Sequence, residues 1–374
     1  MFTQHSQIIA AETVPVQLAV IVPVLNEADN VEPLLERLSR TLIGIECEII
    51  FVDDGSVDGT IDRIERAAKH DRSVRLIRRI GRRGLSSAVM EGFLSSVADV
   101  VAVIDGDMQH DENVLPHLFE QVFSGKSELA VGTRYARGGS TGNWSHSRKT
   151  ISRIATGLAA PVMKTQLSDP MSGFFALRRS VAIEAAPKLS SVGYKLLLDL
   201  VASMPRPLAV AEIPYEFKSR VAGESKLDGA VVLEYAELLI DKLIGRYIPA
   251  KLIMFGAIGL IGTLVHLALL GIFINAAGAA FYISQALATL GAMTFNFALN
   301  NELTYRDRKL SGTKWIGGWA GFCFACSIGA VANVGIGSML YSDAWSWWLA
   351  GIAGAAVGSV WNFVATSWLI WRKK

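Results

Sequence analysis

The hydrophobic pattern changes character once along this chain. Up to about Lys251, short apolar runs alternate with amphipathic stretches; beyond it, long apolar runs follow one another with few charges. In the first part, residues 18–23, 48–52, 74–78, 100–104 and 129–133 read as strands. Residues 30–42, 60–69, 85–96 and 114–123 carry apolar positions at helical spacing. Such βαβ alternation predicts a mostly parallel sheet covered by helices. Ligands in these sheets bind beyond the carboxyl ends of the strands, so the residues just after each run carry the information.

In the second part, residues 252–274, 281–299, 315–340 and 347–370 each reach the ~20 residues that a helix needs to cross a hydrocarbon core. Histidine aside, the charges after Lys251 lie between or beyond these stretches. Arg306, Arg308, Lys309 and Lys314 cluster between the second and third, and Arg372, Lys373 and Lys374 close the chain. The positive-inside rule then predicts four spans, with the first half, the middle loop and the C-terminus cytoplasmic. The N-terminus lacks the basic patch and apolar core of a signal peptide, which agrees with a cytosolic first half. A weak repeat is visible: Asn296-Phe297 leading to Thr304-Tyr305-Arg306 echoes Asn362-Phe363 leading to Ile370-Trp371-Arg372. Residues 228–248 place Lys242 and Arg246 off the apolar face, as an amphipathic helix on a membrane surface would. The expected organisation is therefore a cytoplasmic domain over 1–227, an interfacial helix region over 228–250 and a membrane domain over 251–374.

Composition sharpens this picture. Over 374 residues, 51% are hydrophobic and 19% charged, which is apolar for a soluble protein. The net charge of +2 argues against a nucleic-acid partner. The three cysteines make no disulfide framework, and Cys323 and Cys326 lie in an apolar run that reads as a lipid-embedded helix.

The strand ends carry the candidate chemistry. Pro23-Val24-Leu25-Asn26-Glu27 follows the first run, Asp53-Asp54-Gly55-Ser56 the second and Asp105-Gly106-Asp107-Met108-Gln109 the fourth. Carboxylates this close resist ionisation unless cations or hydrogen-bond donors meet them. Asp58-Gly59-Thr60 also reads as a helix cap. Asp-x-Asp-x-Gln supplies hard oxygen donors suited to Mg²⁺ or Mn²⁺ on a diphosphate.

These motifs, in this order, resemble glycosyltransferase family 2 and within it the dolichyl-phosphate mannosyltransferase branch, over about residues 16–226. The resemblance implies a GT-A type, Rossmann-like α/β domain that binds a nucleotide-sugar. It implies Pro23, Asn26, Glu27, Asp53, Asp54, Arg83, Asp105 and Gly106 around the donor, and Asp105, Asp107 and Gln109 on Mg²⁺ or Mn²⁺. Further elements match family motifs: Gly132-Thr133-Arg134-Tyr135, Arg148-Lys149 with Ser152, Asp169-Pro170-Met171-Ser172-Gly173-Phe174, and Arg220, Gly223, Ser225 and Lys226. By resemblance Arg134, Arg148, Lys149, Ser152, Arg220, Ser225 and Lys226 meet a lipid phosphate, and Asp107, Arg134, Arg148, Lys149 and Arg220 carry catalysis. Residues 251–372 are similar to the GtrA-like four-helix membrane domain, which makes the chain an expected multi-pass membrane protein.

The implied reaction moves a hexose, foremost mannose from GDP-mannose, onto a polyprenyl phosphate. That acceptor is already a dianion near neutral pH, its second pKa being roughly 6, so no general base is expected. A UDP-sugar donor is the alternative within the class, and a lipid-linked-sugar flippase with a binding-only soluble domain is the alternative outside it. Processive synthases carry a Gln-x-x-Arg-Trp element that is absent here. Asp111-Glu112 and Arg83-Gly84-Leu85-Ser86 depart from the common family pattern.

Overall fold

The computed structural model describes residues 15–81, 83–142, 146–190, 195–218, 229–245, 248–275, 281–343, 345 and 347–371. Arg220, Gly223, Ser225, Lys226, Arg246 and Arg372 to Lys374 lie outside them, as does the side chain of Arg148. The chain divides into two units, 1–242 and 243–374.

The first unit is built on a seven-stranded sheet: β1 (Leu18–Val24), β2 (Cys47–Asp53), β3 (Val74–Arg78), β4 (Val100–Val103), β5 (Leu129–Thr133), β6 (Phe175–Arg178) and β7 (Val210–Pro214). The order is β3-β2-β1-β4-β6-β5-β7. All neighbours run parallel except β6, which is antiparallel to both β4 and β5. The helices are α1 (Ala28–Thr41), α2 (Thr60–His70), α3 (Leu85–Ser95), α4 (Leu115–Phe123), α5 (His146–Ala159), α6 (Arg179–Ala185), α7 (Leu196–Ser203) and α8 (Gly229–Ile244).

β1 is apolar throughout because both of its faces are covered. Leu18, Val20, Val22 and Val24 point into one cluster with α1, α2 and α4, while Ala19 and Ile21 point into another with α3, α6 and α7. Two features of this topology position the site. β1 sits between β2 and β4, so strand order reverses at its carboxyl end and a crevice opens there. β6 runs backwards, so the segment leading into it arrives beside the carboxyl ends of β4 and β5. No local pattern in the sequence announces that reversal.

α8 forms as expected, but its packing corrects the reading of Lys242 as part of a solvated face. Leu238 lies in the core, with Tyr235 and Leu239 packed against it. Lys242 Nζ turns inward to Asp199 Oδ1 at 2.6 Å, to Ser203 Oγ at 2.8 Å and to the Lys188 carbonyl at 2.9 Å. The Tyr235 hydroxyl donates to the Ala155 carbonyl on α5.

The second unit has, among the described residues, four long helices, α9 (Ala250–Asn275), α10 (Phe281–Leu299), α11 (Thr313–Ser342) and α12 (Trp347–Leu369). Among the described residues, α9 is long and apolar enough to cross a bilayer. α9 pairs with α10 and α11 with α12. Both pairs use the same device. A Cβ on Gly262 would lie 2.0 Å from Asn296 Oδ1, and one on Gly329 would lie 2.0 Å from Asn362 Oδ1. The repeat seen in the sequence is thus a repeat of packing: an asparagine amide pressed onto a glycine that leaves it room. An aromatic cluster of Phe255, Phe297, Tyr305, Phe322 and Trp371 joins the helix ends. Tyr305 and Trp371 stack at 4.0 Å between centroids, and Trp371 Nε1 donates to Asn301 Oδ1 at 3.2 Å.

Candidate active site

The loops after β1 and β2 form one rim of the crevice. Asn26 adopts a positive φ of 57°, and its backbone N–H donates to Ser56 Oγ at 2.8 Å. Its side-chain Oδ1 accepts from the Val57 N–H at 3.0 Å. Asp53, 1% exposed, accepts from the N–H groups of Gly55 and Ser56 at 2.9 and 3.1 Å. Asp58 accepts from Ala28 N–H and Thr60 N–H, both at 3.1 Å, so one carboxylate ties the starts of α1 and α2 together. Its donors outweigh the upward push of burial and hold its pKa below the ordinary carboxylate value. Glu27 accepts from Asn30 Nδ2 at 2.6 Å, and Pro23 is buried within β1. Of these residues Asn26 is exposed, whereas Asp53 and Pro23 are buried and hold the loops from beneath.

Asp54 and Arg83, both expected around the donor, fare differently. Asp54 Oδ2 accepts from the Gly84 N–H at 2.7 Å, and Oδ1 accepts from Arg79. Arg79, 4% exposed, also reaches Glu91 at 3.2 Å, Ser87 Oγ at 2.6 Å and the Gly84 carbonyl at 3.1 Å. Asp54 therefore anchors the start of α3 through a buried arginine, while Arg83 stays exposed beside the loop of Gly55. The dense arginine stretch is in part internal structure, since Arg75 pairs with Glu48 at 2.5 Å.

The Asp-x-Asp loop follows β4. Gly106 packs where a Cβ would come within 2.9 Å of Val24 Cγ1, which seats the loop against β1. Asp105 has a side chain 35% exposed, and its Oδ2 lies 3.1 Å from His110 Nε2. Asp107 is 7% exposed, and its Oδ1 accepts from the Gln109 N–H at 3.2 Å. Gln109 Nε2 donates to the Lys218 carbonyl at 3.1 Å and the Lys218 N–H returns a bond to Gln109 O at 2.9 Å. That exchange fixes the amide by its nitrogen. Two carboxylates and one amide oxygen at alternating positions of one loop form a hard-oxygen donor set that fits Mg²⁺ or Mn²⁺. The Asp111-Glu112 departure is held from outside, by Lys218 at 3.2 and 3.8 Å and by Arg37 at 3.3 Å from Glu112.

Arg134, expected on a phosphate, has Asp169 as its partner. Nε and Nη2 donate to Oδ2 and Oδ1 at 2.7 and 2.8 Å in a two-point pair, with Arg134 8% and Asp169 0% exposed. The guanidinium also sits 5.4 Å from the Phe217 ring centroid. Burial alone would lower the Arg134 pKa, but hydrogen bonding and charge from Asp169 raise it above its ordinary value. This pair ties the end of β5 to the segment entering β6. In that segment Ser172 Oγ donates to the Gly132 carbonyl at 2.7 Å, and a Cβ on Gly173 would lie 2.9 Å from Asp105 Oδ2.

Lys149 and Ser152 lie on α5, half-buried, and Tyr135 Oη donates to Ser152 Oγ at 2.8 Å. Ile151, Ile154 and Leu158 of the same helix are 57–60% exposed. The two ends of the expected site are thus linked through Arg134-Tyr135. Sequence reasoning missed His110. The signal available was its position next to Gln109, but nothing local says which way an imidazole there will turn.

Residues 19–185 match the model of glycosyl transferase family 2, and residues 254–371 match that of the GtrA/DPMS transmembrane domain. A dolichol-phosphate mannosyltransferase of Pyrococcus furiosus is 36% identical over 298 residues, 78% of this chain and 82% of that protein. The dolichol-phosphate mannosyltransferase of Saccharomyces cerevisiae is 36% identical over 64% of this chain and 92% of that protein. A glucosyl-3-phosphoglycerate synthase structure from Mycobacterium tuberculosis overlaps with a TM-score of 0.45 at 20% identity, covering 60% of this chain and 79% of that one, a likeness too distant to bear on ligands.

Proposed function

The chain belongs to glycosyl transferase family 2, with a GtrA/DPMS transmembrane domain behind its catalytic domain, and we propose that it transfers mannose from GDP-mannose to a polyprenyl phosphate with inversion at the anomeric carbon. The observation that carries this reading is the 36% identity, over most of both chains, to a dolichol-phosphate mannosyltransferase. The site supports it. At the carboxyl end of β1, where such sheets bind ligands, the loop of Asn26 and Glu27 is bonded to that of Asp53 to Val57, and Gly106 seats the Asp105–Gln109 loop against β1.

Asp105, Asp107 and Gln109 would hold the divalent cation, which supplies neutralisation of the departing diphosphate. The protein's own part is orientation and charge. The Asp53, Asn26 and Ser56 hydrogen bonds keep the two rim loops in one shape before the nucleotide arrives, so little ordering is left to bind it. Arg134, neutralised by Asp169, serves as a brace rather than as the phosphate's counter-charge. The lipid phosphate is met instead by Arg148 and Lys149 of α5 with Arg220 and Lys226, the guanidiniums suiting a two-point phosphate contact. The dianionic phosphate is itself the nucleophile, so its oxygen attacks the anomeric carbon directly and no side chain need take a proton.

The exposed Ile151, Ile154 and Leu158 on α5 suit a helix that meets acyl or prenyl chains while Lys149 faces their headgroup. With four spans and the basic loop of Arg306 to Lys314 inside, the catalytic domain is cytoplasmic. Purified enzyme assayed with GDP-mannose, UDP-glucose and UDP-galactose against undecaprenyl and dolichyl phosphates, with Mg²⁺ or Mn²⁺, tests the donor and acceptor. Asp107→Ala should abolish turnover without loss of fold, as should EDTA. Full activity in either case would sink the metal-dependent reading.

A further inference from the structure

His110 is 3% exposed, and its ring is enclosed by aromatic neighbours. Phe174 lies 5.1 Å away between centroids, Phe217 5.5 Å and Tyr215 5.6 Å. Both ring nitrogens are nevertheless paired. Nδ1 lies 2.7 Å from the Tyr215 hydroxyl and Nε2 lies 3.1 Å from Asp105 Oδ2. An ionised carboxylate has no proton to give, so Nε2 carries the hydrogen in that bond. Burial raises the Tyr215 pKa, so the phenol keeps its proton.

A core histidine needs only some partner for each nitrogen. This one reaches out of the aromatic cluster to a carboxylate whose side chain is still 35% exposed at the strand end. Asp105 has few other restraints. Its Oδ1 makes no hydrogen bond to a described residue, and on the remaining side Gly173 leaves room that any side chain would fill at 2.9 Å from Oδ2. One imidazole N–H therefore decides how this carboxylate is turned.

We propose that His110 is a positioning residue for Asp105: its Nε2–H holds Oδ2, so that Oδ1 is presented to the divalent cation, and Tyr215 in turn holds the ring. The proposal rests on the metal reading above. Partners one step removed from a metal ligand tune metal affinity by roughly 10–100-fold, and a rotatable carboxylate at a strand end is where such a partner has most to do.

The test separates this role from packing. Gln at position 110 places its amide N–H near the place of Nε2, whereas Asn places it near Nδ1. The full-length protein in detergent is titrated with Mn²⁺ in the presence of GDP, and free Mn²⁺ is read by electron paramagnetic resonance. His110→Gln should stay within about threefold of the wild type, and His110→Asn should bind Mn²⁺ roughly 10–100-fold more weakly. GDP binding without metal should be equal in all three. Equal losses for Gln and Asn, or none for Asn, would overturn the proposal while leaving the metal reading intact. Wild-type protein that binds GDP but no Mn²⁺ would overturn the metal reading and this proposal with it. Should the Asn variant not fold, Tyr215→Phe takes its place, since it keeps the ring and removes only its brace. Mn²⁺ affinity in that variant equal to the wild type would then overturn the proposal.

Discussion

Lys242 Nζ lies 2.6 Å from Asp199 Oδ1, with side-chain exposures of 9% and 0%. The pair joins α8 to α7. Asp199 is further satisfied by Ser190, whose N–H and Oγ–H reach its two oxygens at 3.2 and 2.8 Å. A buried carboxylate with this many donors is stable only while its cation stays. Lys242→Ala should destabilise the catalytic unit by about 3–5 kcal/mol, whereas replacing both residues together should cost much less. Chemical denaturation of the single and double variants measures the difference. Additive losses would mean that the pair contributes no coupling.

Arg134 and Asp169 make the second buried pair, and here geometry matters as well as charge. Lysine keeps the charge but cannot occupy both carboxylate oxygens in the fork arrangement. Arg134→Lys should lower the melting temperature and slow turnover, with donor affinity nearly unchanged. Arg134→Ala should cost about 3–5 kcal/mol, because it strands Asp169 at 0% exposure. A stable Arg134→Ala variant with a raised KM for the lipid alone would return Arg134 to the phosphate.

The acceptor end is tested at Arg148 and Arg220. Each charge-assisted contact to a phosphate contributes roughly 1.5–3 kcal/mol, so losing one should lower kcat/KM for the lipid by roughly 10–100-fold. Arg148→Ala and Arg220→Ala should act mainly through the lipid KM and leave nucleotide-sugar affinity alone. If they weaken donor binding and leave lipid dependence unchanged, the two ends of the site are interchanged.

In the membrane unit the paired glycines give a contrast within one helix. A Cβ on Gly262 would meet Asn296 Oδ1 at 2.0 Å, whereas one on Gly259 would meet nothing within 4 Å. Gly262→Ala should therefore cost about 1–3 kcal/mol through forced repacking, and Gly329→Ala should match it. Gly259→Ala should be neutral or slightly stabilising, since alanine favours a helix. Thermal unfolding of the full chain in detergent reads all three.

Much of this protein is decided locally. The apolar run of β1, the helical spacing of α1 to α4 and the long apolar helices follow from side-chain periodicity and from the solvent each segment can bear. The placement of the carboxylates after β2 and β4 at the strand ends was legible for the same reason, because those loops are contiguous with their strands. Partner choice was not legible. Arg79 and Lys242 look like solvated charges in a sequence and Arg134 like a phosphate ligand, yet each is buried on a carboxylate, Asp54, Asp199 or Asp169, lying 25, 43 or 35 positions away in the chain. His110 reaches Tyr215 across 105 positions. The antiparallel β6, whose lead-in segment brings Gly173 beside Asp105 and Asp169 onto Arg134, depends on a strand slotting between two already separated in sequence. Periodicity reports which face of an element is buried. Only the closed fold decides which of several similar charges meet there, because a buried ion is tolerated in one place alone, where its counter-charge and its hydrogen bonds coincide.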